Sequence, residues 1–183
     1  MRQAIILSGA GGQGLILAGA IVAEAAGVFE GKEVVQTQSY GIQARGGASQ
    51  SSVIISDQRI KFPEVHVPDI LLCLSQEAYN RYEPDLRSGG TLIIDKDLVA
   101  PNHTRDDIQT FPLPFTAEAE RMDRRILANV IALGALATIT GALKVESLAK
   151  AIPLRLPERN VPQALEALEL GKKLAEEQGM VVP

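Results

Sequence analysis

The sequence predicts an α/β fold: a three-layer α/β/α sandwich with a Rossmann-like, mixed and mostly parallel sheet that contains a β-hairpin. Two observations support this prediction. Short apolar runs typical of buried strands alternate along the chain with longer helical patterns, and glycines mark several turns between them. At 183 residues, 46% of them hydrophobic, the chain has the length and core material of one domain spanning residues 1–183.

Seven short runs are predicted as strands. The first ends at a cluster of glycines, as a buried strand before a tight turn does. Asp57-Gln58 separates two of the runs at the spacing of a two-residue hairpin turn, which makes the predicted sheet mixed. The predicted strands cover residues 3–8, 33–37, 52–56, 59–62, 69–74, 91–95 and 108–113.

Helical patterns dominate the second half of the chain. Gly141 and Gly179 stand where two helices are expected to end, because glycine readily adopts the left-handed backbone of a helix C-cap. Residues 14–26 and 126–140, within two of these predicted helices, have little polar surface, which favours burial in the core or against a partner. The predicted helices cover residues 13–26, 76–86, 117–122, 124–140, 145–151 and 161–178.

Composition excludes several classes of function. The net charge of -4 argues against a dedicated nucleic-acid binder, which needs a broad basic face. Cys73 is the sole cysteine, so the chain cannot form an internal disulfide, a Cys-only zinc site or its own iron–sulfur cluster. The most apolar stretch, 126–143, contains Asn129, two threonines and two glycines, and is therefore predicted to be a buried helix and not a membrane span. We expect a cytoplasmic protein.

The segment Gly9-Ala10-Gly11-Gly12-Gln13-Gly14 fits the G-x-G-x-x-G pattern between a predicted strand and a predicted helix. Such a loop aims backbone N–H groups and a helix N-terminus at an anion. An NAD site is disfavoured because no acid follows the second strand, and the Lys-Ser/Thr ending of an ATP-binding P-loop is missing. Two interpretations stay open: a tight strand-to-helix turn, or contact with an anion or one end of a ligand. The candidate ligand-binding residues are Gly9, Gly11, Gly12, Gln13 and Gly14.

A second glycine-containing loop spans residues 39–47 and provides four more candidates: Tyr40, Arg45, Gly46 and Gly47. The two glycines free the backbone beside Arg45, whose guanidinium could bind a carboxylate or phosphate through two hydrogen bonds. Tyr40 offers a flat ring and a hydroxyl. The alternative is that Arg45 pairs with an acid on this chain or on a partner.

The remaining polar candidates are assigned structural roles. Asn129 is expected to bond to backbone, with a ligand contact as the alternative, because an unpaired amide in an apolar helix is costly. The segment 95–97 is interpreted as a solvated strand end, and the arginine-rich segment 121–125 as a salt-bridge face toward solvent or another subunit. His66 and His103 are interpreted as loop histidines, and Cys73 as a buried thiol.

Four segments together resemble a known family. They are AIILSGAGGQG at 4–14, the loop at 39–47 with its ARGG ending, PDILLCL at 68–74 and ANVIALGA at 128–135. In this order and at these positions they are similar to the gamma subunit of 2-oxoacid:ferredoxin oxidoreductases. The resemblance covers nearly the whole chain.

The resemblance implies a multi-subunit enzyme that oxidatively decarboxylates a 2-oxoacid, such as 2-oxoglutarate or pyruvate, with coenzyme A (CoA). The products are acyl-CoA, carbon dioxide and reduced ferredoxin. It further implies that thiamine diphosphate, Mg and iron–sulfur clusters are held by alpha, beta and ferredoxin-like delta partner subunits, and that this chain alone binds no cofactor and is not catalytic.

By the same resemblance, the two glycine loops are expected to border the site where CoA enters, since CoA presents phosphates to backbone N–H groups and to Arg45. The isolated chain could form a homodimer. Three alternatives remain: a free-standing nucleotide-binding α/β protein, an indolepyruvate oxidoreductase subunit, and a purely structural subunit.

Overall fold

A computed structural model describes residues 1–39, 48–177 and 179 of the chain. These residues form one six-stranded sheet with the order β2-β3-β1-β4-β5-β6. Strands β1, β4, β5 and β6 run parallel, whereas β3 is antiparallel to both β2 and β1. The predicted mixed, mostly parallel sheet is confirmed. The strands are β1 (Arg2–Gly9), β2 (Glu33–Ser39), β3 (Ser49–Ser56), β4 (Ile70–Cys73), β5 (Thr91–Asp95) and β6 (Gln109–Leu113).

The hairpin predicted over residues 52–62 is wrong. Residues 59–62 form no strand, and β3 lies instead between β2 and β1, pairing with β1 along its whole length from Ser49 to Ser56. The reason is that Val53, Ile54 and Ile55 are all buried, which requires cover on both faces and favours an interior position in the sheet. The antiparallel character of the sheet therefore comes from β3.

The described residues contain six α-helices, at positions close to those predicted. Helix α1 ends in a π-helical turn over Ala25–Phe29, and Gly141 ends α4 in the left-handed conformation with φ 59°, as expected. Helix α5 continues beyond the predicted end at residue 151 and contains Pro153, which lies in its last turn. The helices are α1 (Leu15–Glu24), α2 (Gln76–Tyr82), α3 (Phe115–Arg121), α4 (Ala128–Thr140), α5 (Val145–Arg155) and α6 (Val161–Glu177).

The two faces of the sheet are covered very differently, although both are buried. Side chains alternate along β1, so that Ile5 and Leu7 contact one core cluster and Ile6 contacts the other. The first cluster is aliphatic and lies beneath α1, α3, α4, α5 and α6. The second cluster is smaller, contains Tyr79 and Cys73, and lies beneath α2. We call these the thick face and the thin face; together they give the predicted three layers.

Helices α4 and α6 cross at two glycines on the thick face. A Cβ atom on Gly134 would collide with the backbone carbonyl of Leu168, and one on Gly171 with the carbonyl of Ile131. The two helix backbones therefore touch directly, and this contact fixes α6 to the most buried helix of the domain.

Helix α4 is 13 residues long and almost entirely buried in this core. Within the described residues, no helix is both long and apolar enough to cross a membrane.

Candidate functional site

The first glycine loop lies where the parallel strands end. It follows β1 directly, and the carboxyl ends of β4, β5 and β6 lie along the same edge of the sheet. In open α/β sheets, ligands bind beyond the carboxyl ends of the strands, next to the point where the strand order changes direction. In this sheet the chain crosses from the β1–β3–β2 side to the β4–β5–β6 side at β1, so the loop occupies that position.

Gln13 holds the loop in shape. Its side-chain oxygen Oε1 accepts a hydrogen bond from the backbone N–H of Ala10 at 2.6 Å, and its Nε2 donates to the carbonyl of Leu74 at 2.8 Å. The backbone N–H of Gln13 donates back to the carbonyl of Ala10 at 3.2 Å. The amide side chain is thus used within the fold, and Gln13 positions the loop through contacts with the ends of β1 and β4.

Two glycines of the loop are required by backbone conformation. Gly12 has φ +87° and Gly14 has φ +73°, a region that residues with a side chain rarely adopt. A Cβ on Gly14 would also collide with Asn129, whose Nδ2 donates to the Gly14 carbonyl at 3.1 Å. The expectation that Asn129 bonds to backbone is confirmed, and the bond ties the start of α1 to α4.

A cleft of about 370 Å³ opens beside the loop. Ala10, Gly11 and Gly12 are exposed along one side, and a Cβ on Gly11 or Gly12 would meet open space. The opposite side is formed by the segment that leads into α4. The lining residues are Ala10, Gly11, Gly12, Gln13, Thr116, Arg125, Ile126 and Ala128.

Arg125 brings a positive charge to this cleft, in addition to its place on the salt-bridge face that the sequence predicts for 121–125. Its side chain is 67% exposed, and its nearest acidic partner is Glu120, whose Oε1 is 3.7 Å from Nη1. Arg125 lies in a 3-10 turn, Arg125–Leu127, just before α4. The sequence signal for Arg125 is its position just before the family-like segment 128–135, because the residues immediately before that segment face the glycine loop.

Asp95 corrects the interpretation of 95–97 as a solvated strand end. The carboxylate of Asp95 is fully buried at the end of β5 and accepts hydrogen bonds at Oδ2 from the Thr116 N–H, at 2.9 Å, and hydroxyl, at 2.5 Å. Its Oδ1 accepts from the N–H of Asp97 at 3.1 Å. Burial raises the pKa of Asp95 against the lowering effect of these bonds. The residue fixes Thr116, which lines the cleft.

The second loop's candidates, Tyr40, Arg45, Gly46 and Gly47, lie outside the described residues. Its two flanks are described, and both are at the same edge of the sheet as the first loop. Ser49, where β3 begins, pairs with Gly9, and the hydroxyl of Ser8 donates to the Ser49 carbonyl at 2.9 Å.

The sheet order gives a physical reason why the glycine pattern does not make a dinucleotide site. In that site the second strand is the neighbour of the first, so that its terminal acid reaches the ribose. Here β3 lies between β1 and β2, so the end of β2 is two strands away from the Gly9–Gly14 loop. Its last residues, Thr37, Gln38 and Ser39, include no acid.

On the thin face, a buried carboxylate lies in a charged cluster whose residues are not among those that line the cleft. Glu83 is 1% exposed, and its Oε2 is 3.0 Å from His103 Nε2. Arg105 donates to the backbone carbonyls of Glu83 and Leu86 at 3.0 and 3.1 Å. Cys73, predicted to be a buried thiol, is indeed buried, and desolvation raises its pKa far above the usual range.

Comparisons with known proteins agree with one another. Residues 4–174 match the family model described as pyruvate ferredoxin/flavodoxin oxidoreductase. The chain is 47% identical over 179 residues to the 2-oxoglutarate synthase subunit KorC of Methanocaldococcus jannaschii, covering 97% of this chain and 96% of that one.

Two solved structures share the fold. The gamma subunit of a keto/oxoacid ferredoxin oxidoreductase from Geobacter sulfurreducens is 44% identical, with a TM-score of 0.86 and coverage of 97% and 98% of the two chains. The 2-oxoglutarate:ferredoxin oxidoreductase of Magnetococcus marinus is 23% identical with a TM-score of 0.87. This chain corresponds to 32% of that one and shares its fold.

Proposed function

The chain belongs to the pyruvate ferredoxin/flavodoxin oxidoreductase family, and we propose that it is the gamma subunit of a 2-oxoglutarate:ferredoxin oxidoreductase. This complex converts the 2-oxoacid and CoA to acyl-CoA and carbon dioxide while reducing ferredoxin. The observation that carries the proposal is the match to KorC, which runs almost end to end in both chains. The relatives reported above are oxidoreductase subunits, and none is a free-standing nucleotide-binding protein or an indolepyruvate oxidoreductase.

The cysteine content of the chain indicates which cofactors the other subunits must hold. A single cysteine cannot ligate an iron–sulfur cluster, which needs several thiolates. We therefore assign the clusters, thiamine diphosphate and Mg to the alpha, beta and ferredoxin-like delta subunits. The subunit's own part is to complete the complex. We place the complex in the cytoplasm, since a lone buried thiol suits a reducing compartment.

We assign the cleft between the glycine loop and Arg125 as the border of the CoA site. Its chemistry fits the phosphates of CoA. On one side the backbone of Gly11 and Gly12 is exposed and open to close approach, and on the other Arg125 carries a positive charge. Gln13, Asn129 and Asp95 hold these two sides in place. From the sequence resemblance we assign Arg45, on the second loop, to the same border.

The test is steady-state kinetics of the complete complex assembled with Arg125→Ala or Arg45→Ala. Loss of a charge-assisted contact with CoA should raise the KM for CoA by about tenfold at nearly constant kcat. Arg121→Ala is the matched control, because Arg121 is an exposed arginine near Arg125 that pairs with Glu118 and does not line the cleft. We expect that control to behave as wild type.

Two outcomes would contradict parts of the proposal. An unchanged KM for CoA in both variants, with the complex intact, would leave the chain a purely structural subunit. A complex that oxidises pyruvate or a branched-chain 2-oxoacid in preference to 2-oxoglutarate would contradict the proposed substrate. The assignment to the family would stand.

A further inference from the structure

The two edges of the sheet are built differently. The β6 edge is five residues long and contains Pro112, which has no N–H to offer a further strand. The β2 edge is seven residues long, contains no proline, and carries one charge, Glu33, at its beginning. Within the described residues, β2 has a strand partner only on its β3 side. Such an edge is a template for strand addition.

The strand is also complementary to itself. Pairing two copies of β2 in antiparallel fashion over all seven residues places the two-fold axis at Gln36 and sets Glu33 opposite Ser39, Val34 opposite Gln38, and Val35 opposite Thr37. No like charges face each other in this register. Gln36 and Val34 point to the thick face in both copies, since Gln36 bonds to the carbonyl of Ile16 in α1 and Val34 contacts the thick-face core.

Helix α1 extends the same surface. Ile16, Ala20 and Ala23 are half-buried and recur at helical spacing on the side of α1 that lies above β2. The small side chains of Ala20 and Ala23 let a second helix approach closely, and Ile16 adds apolar surface beside them. A strand edge alone buries little surface, whereas stable interfaces bury about 800 Å² on each partner. The side of α1 therefore adds surface that an interface at β2 needs.

We infer that the β2 edge and the Ile16–Ala23 side of α1 form a two-fold interface with a second copy of this chain, joining two six-stranded sheets into one across Gln36. The inference is independent of the CoA assignment, because the interface uses β2 and α1 and none of the cleft residues.

The test is the mass of the full chain in solution, measured by sedimentation up to about 100 µM, a range that detects weak self-association. We expect the wild type to have the mass of two chains. Thr37→Lys adds a charge to an exposed position of β2 and should weaken association by at least about tenfold. Thr110→Lys, the same change at an exposed position of β6, is the matched control and should leave the mass unchanged.

Cross-linking tests the register. In a Val35→Cys/Thr37→Cys double variant, each new cysteine faces its counterpart in the other copy, so mild oxidation should link two chains. In the Val35→Cys single variant the new cysteine faces Thr37, and little cross-linking is expected. Cys73 is buried and does not interfere.

A single-chain mass for the wild type at the highest concentration would overturn the inference. So would a two-chain mass that Thr37→Lys leaves intact, or an edge found covered by a different subunit in the complete complex.

Discussion

The thick and thin faces of the sheet are buried by different means. On the thick face, five helices cover an almost entirely aliphatic core, and two of them touch backbone to backbone at Gly134 and Gly171. On the thin face, one short helix and the segment after β5 cover a smaller core, and a buried carboxylate, Glu83, takes part in closing it. The comparison teaches that close backbone fit adds to hydrophobic burial on one face, and a buried charge pair adds to it on the other.

The largest loss of stability is expected from a substitution at the close crossing of α4 and α6. Gly171→Ala places a methyl group against the carbonyl of Ile131, so α6 must move away from α4. We expect a loss of about 3 kcal/mol in the free energy of unfolding, at the upper end for overpacked cores. Urea unfolding measures it, and Gly11→Ala, at an exposed glycine with open space around it, should unfold almost as wild type. A near-neutral Gly171→Ala would contradict the close crossing.

On the thin face, a substitution at Glu83 removes the buried charge pair and leaves the thick-face core unchanged. Glu83→Ala leaves Arg105 and His103 without their buried carboxylate, and should cost about 2–3 kcal/mol. Glu83→Gln keeps the shape and removes the charge. If shape alone held this face, as on the other, Glu83→Gln would match wild type in urea unfolding, and the distinction between the faces would fail.

We expect the loss of stability in the Glu83 variants to depend on the burial of this carboxylate and not on its charge alone. An exposed ion pair provides the comparison. Asp57 contacts Lys32 and the Met1 ammonium, and these hydrogen bonds lower its pKa from 3.8 to about 2. Since the folded pKa lies below the unfolded one, the stabilisation is fully present above about pH 4 and is lost as the pH falls toward 2.

Asp57→Asn should therefore change the free energy of unfolding only slightly at pH 7, the smallest change of this series. The variant should also lose less stability than wild type as the pH falls from 4 to 2. Urea midpoints measured across that pH range check the prediction. An equal loss at pH 7 and at pH 2.5 would show that the ion pair is not what the carboxylate contributes.

The sequence predicted what depends on local pattern. Alternating strands and helices, the glycine loop between β1 and α1, and the C-cap at Gly141 all come from residues close together in the chain. Asn129 bonds to backbone, as the high cost of an unpaired amide in an apolar helix predicts.

The misses arise from pairings between distant residues. The two-residue turn at Asp57-Gln58 predicts a hairpin, but β3 pairs with β1, whose residues lie 40 to 54 positions earlier in the chain, and buries both faces by doing so. Asp95 looked solvated, because nothing next to it in sequence reveals that α3 begins against its carboxylate. The salt-bridge face predicted over 121–125 is present, since Arg121 pairs with Glu118 and Arg125 with Glu120. The sequence does not reveal that Arg125 also lines the cleft beside the glycine loop.

The bond between Asn129 and Gly14 has a consequence for biosynthesis. The loop is made among the first 14 residues, yet its two anchors, Leu74 and Asn129, lie 61 residues beyond Gln13 and 115 beyond Gly14. Contacts of such long range form late in folding, because the intervening chain must first be closed into a loop. On the ribosome, the turn after β1 can therefore gain its second anchor, Asn129, only after most of the polypeptide has been made.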